Sequence, residues 1–212
     1  ASNKFDDKSA IELLGKRFEV DRNYFKLHAC CRYNHAALDA LWKIIEQHSE
    51  VKSINEIKKI EVQSYNLAAE LNDQNPRNVL ACKFSIPFAI STTLVNLDSG
   101  VLSFTESMRS NKNIQNLCQK VTIVEDTTMT EKTPDLRPAD VHVLMENGST
   151  FKAQVTTNRG DWQDPYSEEE LKQKFISLTT RLWSQKKALN VYSKSIKLEK
   201  IPLDDLINSI IN

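Results

Sequence analysis

Apolar residues recur every three or four positions between residues 34 and 48, at Ala37, Leu38, Leu41, Trp42, Ile44 and Ile45. That spacing predicts an amphipathic helix with Asn34 as its N-cap, lying across one face of a sheet. The rhythm then changes to alternation at Ile57, Ile60 and Val62, which predicts a strand over residues 58–64, entered through a cap at Ser53-Ile-Asn-Glu56. Helical spacing returns over 79–95 with Leu80, Ala81, Phe84, Phe88, Ala89 and Leu94. Pro87 falls inside this run, and a proline removes a backbone donor, so a kink or split is expected there. Residues 103–119 predict one or two more helices, jointed at Asn111-Lys-Asn113, and 121–125 a short strand. The stretch 127–138, rich in Thr, Asp and Pro, reads as a loop.

Asn147-Gly148 stands between the runs 141–145 and 150–156, a pairing that predicts a β-hairpin. Ser167-Glu-Glu-Glu170 is a capping box ahead of Leu171, Phe175, Ile176 and Leu178, and helices are expected from there to the end, with breaks near Trp183 and Pro202. At the other end, residues 8–14 read as a short helix stopped by Gly15, and 17–27 as extended chain. Mixed elements followed by helices alone predict an α+β body with a helical C-terminal appendage.

Composition narrows the function classes. A chain of 212 residues, 40% hydrophobic, is large enough for a sizeable core. Its 28 Lys and Arg balance 28 Asp and Glu, so no global field favours nucleic acid or an anionic membrane surface, and neither is expected as a partner. No apolar run approaches a membrane span and the first residues hold no signal-peptide core, which makes the cytoplasm, or a matrix after processing, the expected location. Cys30 and Cys31 are adjacent, and Cys82 and Cys118 fall in predicted helices without paired spacing, so free thiols are expected.

Reactive side chains are densest from Lys26 to Asp39, a stretch that includes His28, Cys30, Cys31, Arg32, Tyr33 and His35. Lys26 follows Tyr24 and Phe25. In such surroundings an ammonium either clamps a carboxylate or simply snorkels from a strand end. His28, Cys30, Cys31 and His35 are zinc-ligand types, but strand neighbours face opposite ways and no second Cys/His pair lies downstream, so no metal is expected. A nucleophilic Cys30 or Cys31 with His35 as base is disfavoured against two small core residues. His35 and Asp39 are four apart on one helix face, where the carboxylate would orient the imidazole or the two would form a surface pair. Arg159-Gly160 offers an anion site at a turn. The residues by themselves define an α+β domain with a polar site near 26–39.

Several segments, taken in order, resemble the C-terminal half of the MmgE/PrpD family, which includes 2-methylcitrate dehydratase, cis-aconitate decarboxylase and iminodisuccinate epimerase. The likeness is carried by Phe25-Lys26-Leu-His-Ala-Cys-Cys-Arg-Tyr-Asn-His35-Ala-Ala-Leu-Asp39, then by Ala81-Cys-Lys83-Phe-Ser85-Ile-Pro87-Phe88-Ala89. Arg137-Pro138-Ala-Asp-Val141, Asn147-Gly148, and Arg159-Gly160 with Asp164-Pro165-Tyr-Ser167 follow in the same order. The resemblance implies a lid domain over residues 26–158, after a lead-in of 1–25, with 159–212 returning to pack on a helical domain formed by the family's N-terminal half. It implies lyase or isomerase chemistry on small di- and tricarboxylates without metal or organic cofactor. Lys26 and Cys31 take catalytic positions in this scheme, and Lys26, Arg32, His35 and Arg159 are expected to bind substrate. Two departures stand out: Cys31 occupies the place of a histidine, and Phe88 that of a tyrosine, in the decarboxylase branch. These departures speak against cis-aconitate decarboxylation; the resemblance implies instead dehydratase-like chemistry that depends on an N-terminal helical partner. The apolar faces of the helices over 167–212 (Leu171, Phe175, Leu178, Leu182, Leu189, Val191) lead to the expectation of a homo-oligomer. The rival expectation is a non-catalytic oligomerising or binding module derived from the same lid.

Overall fold

A computed structural model describes Asp6, Lys8 and residues 11–211. The helix expected over 8–14 lies partly outside the described residues; Gly15 has φ +76°, the left-handed conformation suited to ending a helix. Residues 17–27 are not a strand. They contain a single 3-10 turn, Glu19–Arg22, and otherwise run without regular partners.

The chain divides into two compact units between Pro165 and Tyr166. The first is α+β, built on a four-stranded mixed sheet. Its strands are β1 (Ile57–Ser64), β2 (Val121–Glu125), β3 (Ala139–Met145) and β4 (Thr150–Val155), in the spatial order β2-β1-β3-β4. β1 runs parallel to β2 and antiparallel to β3, while β3 and β4 form the hairpin expected around Asn147-Gly148. Gly148 has φ +89°, and the Asn147 side chain accepts from the Ser149 amide, so each residue supplies what the tight turn requires. Alternation fixes the buried face: Ile57, Ile60 and Val62 of β1 meet Val141, Val143 and Met145 of β3 beneath the helices.

Helix α1 (His35–Gln47) packs on β3 and β4. Asn34 is not its side-chain cap. A 3-10 turn, Arg32–Asn34, leads directly into the helix, and the Asn34 side chain instead donates through Nδ2 to the Lys83 carbonyl at 2.9 Å. The long connection from β1 to β2 carries α2 (Asn66–Ala69), α3 (Val79–Lys83), α4 (Ile86–Asn96), α5 (Glu106–Arg109) and α6 (Lys112–Cys118). Pro87 splits the run as expected, because it sits in the first turn of α4, where its missing N–H costs nothing, and the Ser85 hydroxyl caps that turn through the Phe88 amide at 3.0 Å. The stretch 127–138 departs from a plain loop: Asp126 caps a one-turn helix, α7 (Thr127–Thr130), which buries Met129.

The second unit contains α8 (Glu168–Thr179), α9 (Gln185–Ser195) and α10 (Leu203–Ile211). Both halves of the capping box before α8 form, Ser167 to the Glu170 amide and Glu170 back to the Ser167 amide. No helix among the described residues is long and apolar enough to cross a membrane.

Candidate functional site

Residues 26–31 form an irregular turn between the lead-in and α1, with no strand partner. Its backbone is tied down from two sides: the Ala29 amide donates to the Ser99 carbonyl at 2.9 Å and the Cys31 amide to the Lys83 carbonyl at 2.8 Å. The turn therefore rests on the end of α3 and on the loop that follows α4.

Lys26 is half-buried, and its Nζ donates to the Cys30 carbonyl at 3.1 Å. It has no carboxylate partner among the described residues, which leaves two N–H donors of a cation held in a fixed place. His28 is buried and bonded at both ring nitrogens. Nε2 donates to Asp39 Oδ1 at 2.9 Å, and Nδ1 meets Ser99 Oγ at 2.6 Å. A carboxylate accepts, so Nε2 is the donor of the first pair, and Nδ1 shares the second hydrogen bond with the Ser99 hydroxyl. Asp39 Oδ2 receives the Arg159 amide at 2.8 Å.

The partner of Asp39 is thus His28, not His35 as helical spacing suggests. His35 is fully buried and stands edge-on to the His28 ring, with centroids 5.0 Å apart. Neither of its ring nitrogens reaches a full hydrogen bond among the described residues. Burial, with lesser contributions from His28 and Lys26, lowers its pKa to about 2, and an interaction with the Cys30 backbone offsets only part of this. His35 is therefore a neutral imidazole across the physiological range.

Arg32 is committed to the fold. Its guanidinium lies 3.9 Å over the Tyr24 ring and donates through Nη2 to Asp161, itself buried. All four cysteines are free. Burial pushes the Cys30 thiol up to about 12, so it stays protonated, while Cys31 is half-buried with its backbone fixed to Lys83. Phe88 is a core residue packed near Phe104, with ring centroids 6.0 Å apart. No group of three His, Cys, Asp or Glu able to hold a metal ion occurs among the described residues.

The loop 157–161 comes back to this turn. Besides the Arg159 amide on Asp39, the Phe25 amide donates to the Gly160 carbonyl at 2.9 Å, and Asp161 takes Arg32. Of the five residues singled out in the sequence, Lys26, Arg32 and His35 lie within range of one another's charge, Cys31 shares their turn, and Arg159 is joined to it through its backbone. Sequence reasoning passed over the His28–Asp39 bond, Ser99, Tyr24 and Asp161. Ser99 and Asp161 lie 71 and 129 residues from their partners, and nothing in a single sequence marks those pairings.

The first unit is thus an α+β domain with the turn of residues 26–31 held against its first helix by the His28–Asp39 bond. The model of the MmgE/PrpD C-terminal domain matches residues 28–198, and the chain belongs to the MmgE/PrpD family. No curated protein matches it.

Proposed function

We propose that this chain supplies the lid part of an MmgE/PrpD-type lyase or isomerase acting on small di- and tricarboxylates, most simply as a 2-methylcitrate dehydratase-like enzyme. The observation that carries the reading is Lys26: a half-buried ammonium, positioned by the Cys30 carbonyl and without a carboxylate partner among the described residues, is suited to receive a carboxylate from outside. Elimination of water beside a carboxylate needs such a cation to hold the substrate and to stabilise negative charge that develops at the reacting carbon. It also needs a proton acceptor and donor. Buried His35 and the protonated Cys30 thiol do not suit that task, which leaves it to Cys31 together with groups of the helical domain of the family's other half. Cys31, five residues after Lys26, lines the same turn, and Arg159 supplies the second cation.

The test is titration of citrate into isotope-labelled chain, alone and together with a helical domain of the family. The reading expects amide shifts around Lys26 and Arg159 only in the combination. Full dehydratase activity from the 212 residues alone would contradict the dependence, and shifts confined to other residues would contradict the site.

One observation favours a second reading, a non-catalytic oligomerising module. Leu182, Ile196, Leu203 and Ile211 of the C-terminal unit are exposed apolar residues, and such surfaces favour association. Sedimentation showing a monomer with residues 166–212 ordered would remove it.

A further inference from the structure

We infer that Arg137 and the Tyr65 hydroxyl form a further contact for a substrate carboxylate, next to Cys31 and separate from the one Lys26 offers. The inference deepens the carboxylate-binding reading above and rests on it. It begins with a hydroxyl that has nothing to bond. Tyr65 is 1% exposed, and its phenolic oxygen is buried without a hydrogen-bond partner among the described residues. A buried polar group left unpaired costs stability, and the missing partner here has to come from outside the chain.

The charge around the hydroxyl selects that partner. Ser64, the last residue of β1, pairs with Ala139, the first of β3, and its hydroxyl donates to the Pro138 carbonyl at 2.7 Å. These bonds bring Arg137, the residue before Pro138, close to Tyr65, the residue after Ser64, and the charge of Arg137 reaches the phenol. The Arg137 guanidinium is half-buried and has no hydrogen-bond, ion-pair or ring partner among the described residues. Burial raises the Tyr65 pKa in spite of Arg137 and Arg32, so the hydroxyl keeps its proton and can donate. A water would satisfy the hydroxyl alone. A carboxylate, with two acceptor oxygens and a charge, satisfies the hydroxyl and the guanidinium together.

This donor set belongs to the turn that holds Lys26. The Tyr65 ring stands edge-on to Tyr33, with centroids 5.8 Å apart, and Tyr33 lies in the 3-10 turn that follows Cys31. Cys31 is itself within charge range of the phenol, and Lys26 is bonded to the carbonyl of the residue before it, Cys30. A polycarboxylate held by Lys26 thus meets a second set of donors gathered about the next residue of the turn.

Titration of citrate and of propionate into the isotope-labelled chain combined with the family's helical domain tests this. Citrate can use both donor sets, propionate only one. Arg137→Gln should weaken citrate roughly tenfold, as expected for a lost charge-assisted hydrogen bond, and leave propionate at its wild-type affinity. Tyr65→Phe removes the hydroxyl alone and should weaken citrate about fivefold, with propionate again unchanged. Because that hydroxyl bonds nothing in the fold, Tyr65→Phe should unfold in urea at the wild-type midpoint or above it. A lower midpoint would mean that the hydroxyl is used within the fold, and would overturn the inference. An equal loss of citrate and propionate in Arg137→Gln, or citrate bound as in the wild type, would overturn it as well; if Lys26→Ala then still loses citrate, the carboxylate reading stands without it. Citrate bound undiminished by Lys26→Ala, or not bound by the wild type, would remove the reading and the inference together.

Discussion

At the scale of single residues, the site depends on which groups stay uncharged. His35 has its pKa lowered to about 2 by burial, whereas the unfolded chain titrates near 6.5. A depressed histidine pKa means that the unfolded state binds the proton first as pH falls. The contribution is therefore complete above about pH 6.5 and declines below it, by roughly 1.4 kcal/mol per pH unit, on the order of 2 kcal/mol by pH 5. Urea denaturation at pH 7 and pH 5 should show that loss in the wild type and a much smaller one in His35→Gln; equal losses would place His35 elsewhere. The thiols give a second check. Cys30, Cys82 and Cys118 are buried, with pKa values raised to about 12, 11 and 11, so iodoacetamide under native conditions should modify Cys31 well before the others, as read by peptide mass spectrometry. Earlier labelling of Cys30 would contradict the described turn. The sequence announced that 26–39 was rich in chemistry, but not which pairs form. Helical spacing placed Asp39 beside His35, and the fold gave Asp39 to His28 because the turn before α1 folds the chain back over the helix's first turns.

Elements were far more legible than contacts. β2, the β3–β4 hairpin, the joint at Asn111 and the capping box before α8 were all readable because each rests on a local signal: alternation, a tight-turn dipeptide, or a side chain that caps its own helix. Misreadings fell where a distant segment decides. Asn34 looked like a cap but is drawn to Lys83, 49 residues away, and residues 17–27 looked extended but have no sheet to join. α7 was hidden by its length, since one turn capped by Asp126 leaves no periodicity. The cap of α4 offers a measurement at this scale. The Ser85 hydroxyl both accepts from the Phe88 amide and donates to the Asp73 carbonyl, and it is fully buried. Ser85→Ala should cost about 1–3 kcal/mol in denaturant unfolding, more than an exposed cap would. A change below about 0.5 kcal/mol would mean that Pro87 alone starts the helix.

For the molecule as a whole, membership of the MmgE/PrpD family and the α+β fold agree, and both were in view from the order of weak motifs along the chain. The reaction was not: of the two departures noted in the sequence, Cys31 lies half-buried in the turn and Phe88 in the core, and neither placement specifies a chemistry. Within the C-terminal unit, α10 presents Leu203, Ile207, Ile210 and Ile211 with no residue buried. If the helical domain covers that face, its addition should slow amide exchange across residues 203–211; exchange that is unchanged would argue against docking there. The central claim is that Lys26 is the carboxylate-binding cation of a lyase or isomerase. It is tested most directly by steady-state turnover of 2-methylcitrate in Lys26→Ala, assayed in the combination with the helical domain alongside circular dichroism. The account predicts turnover lost with the fold intact, and undiminished turnover in a folded Lys26→Ala enzyme would contradict it.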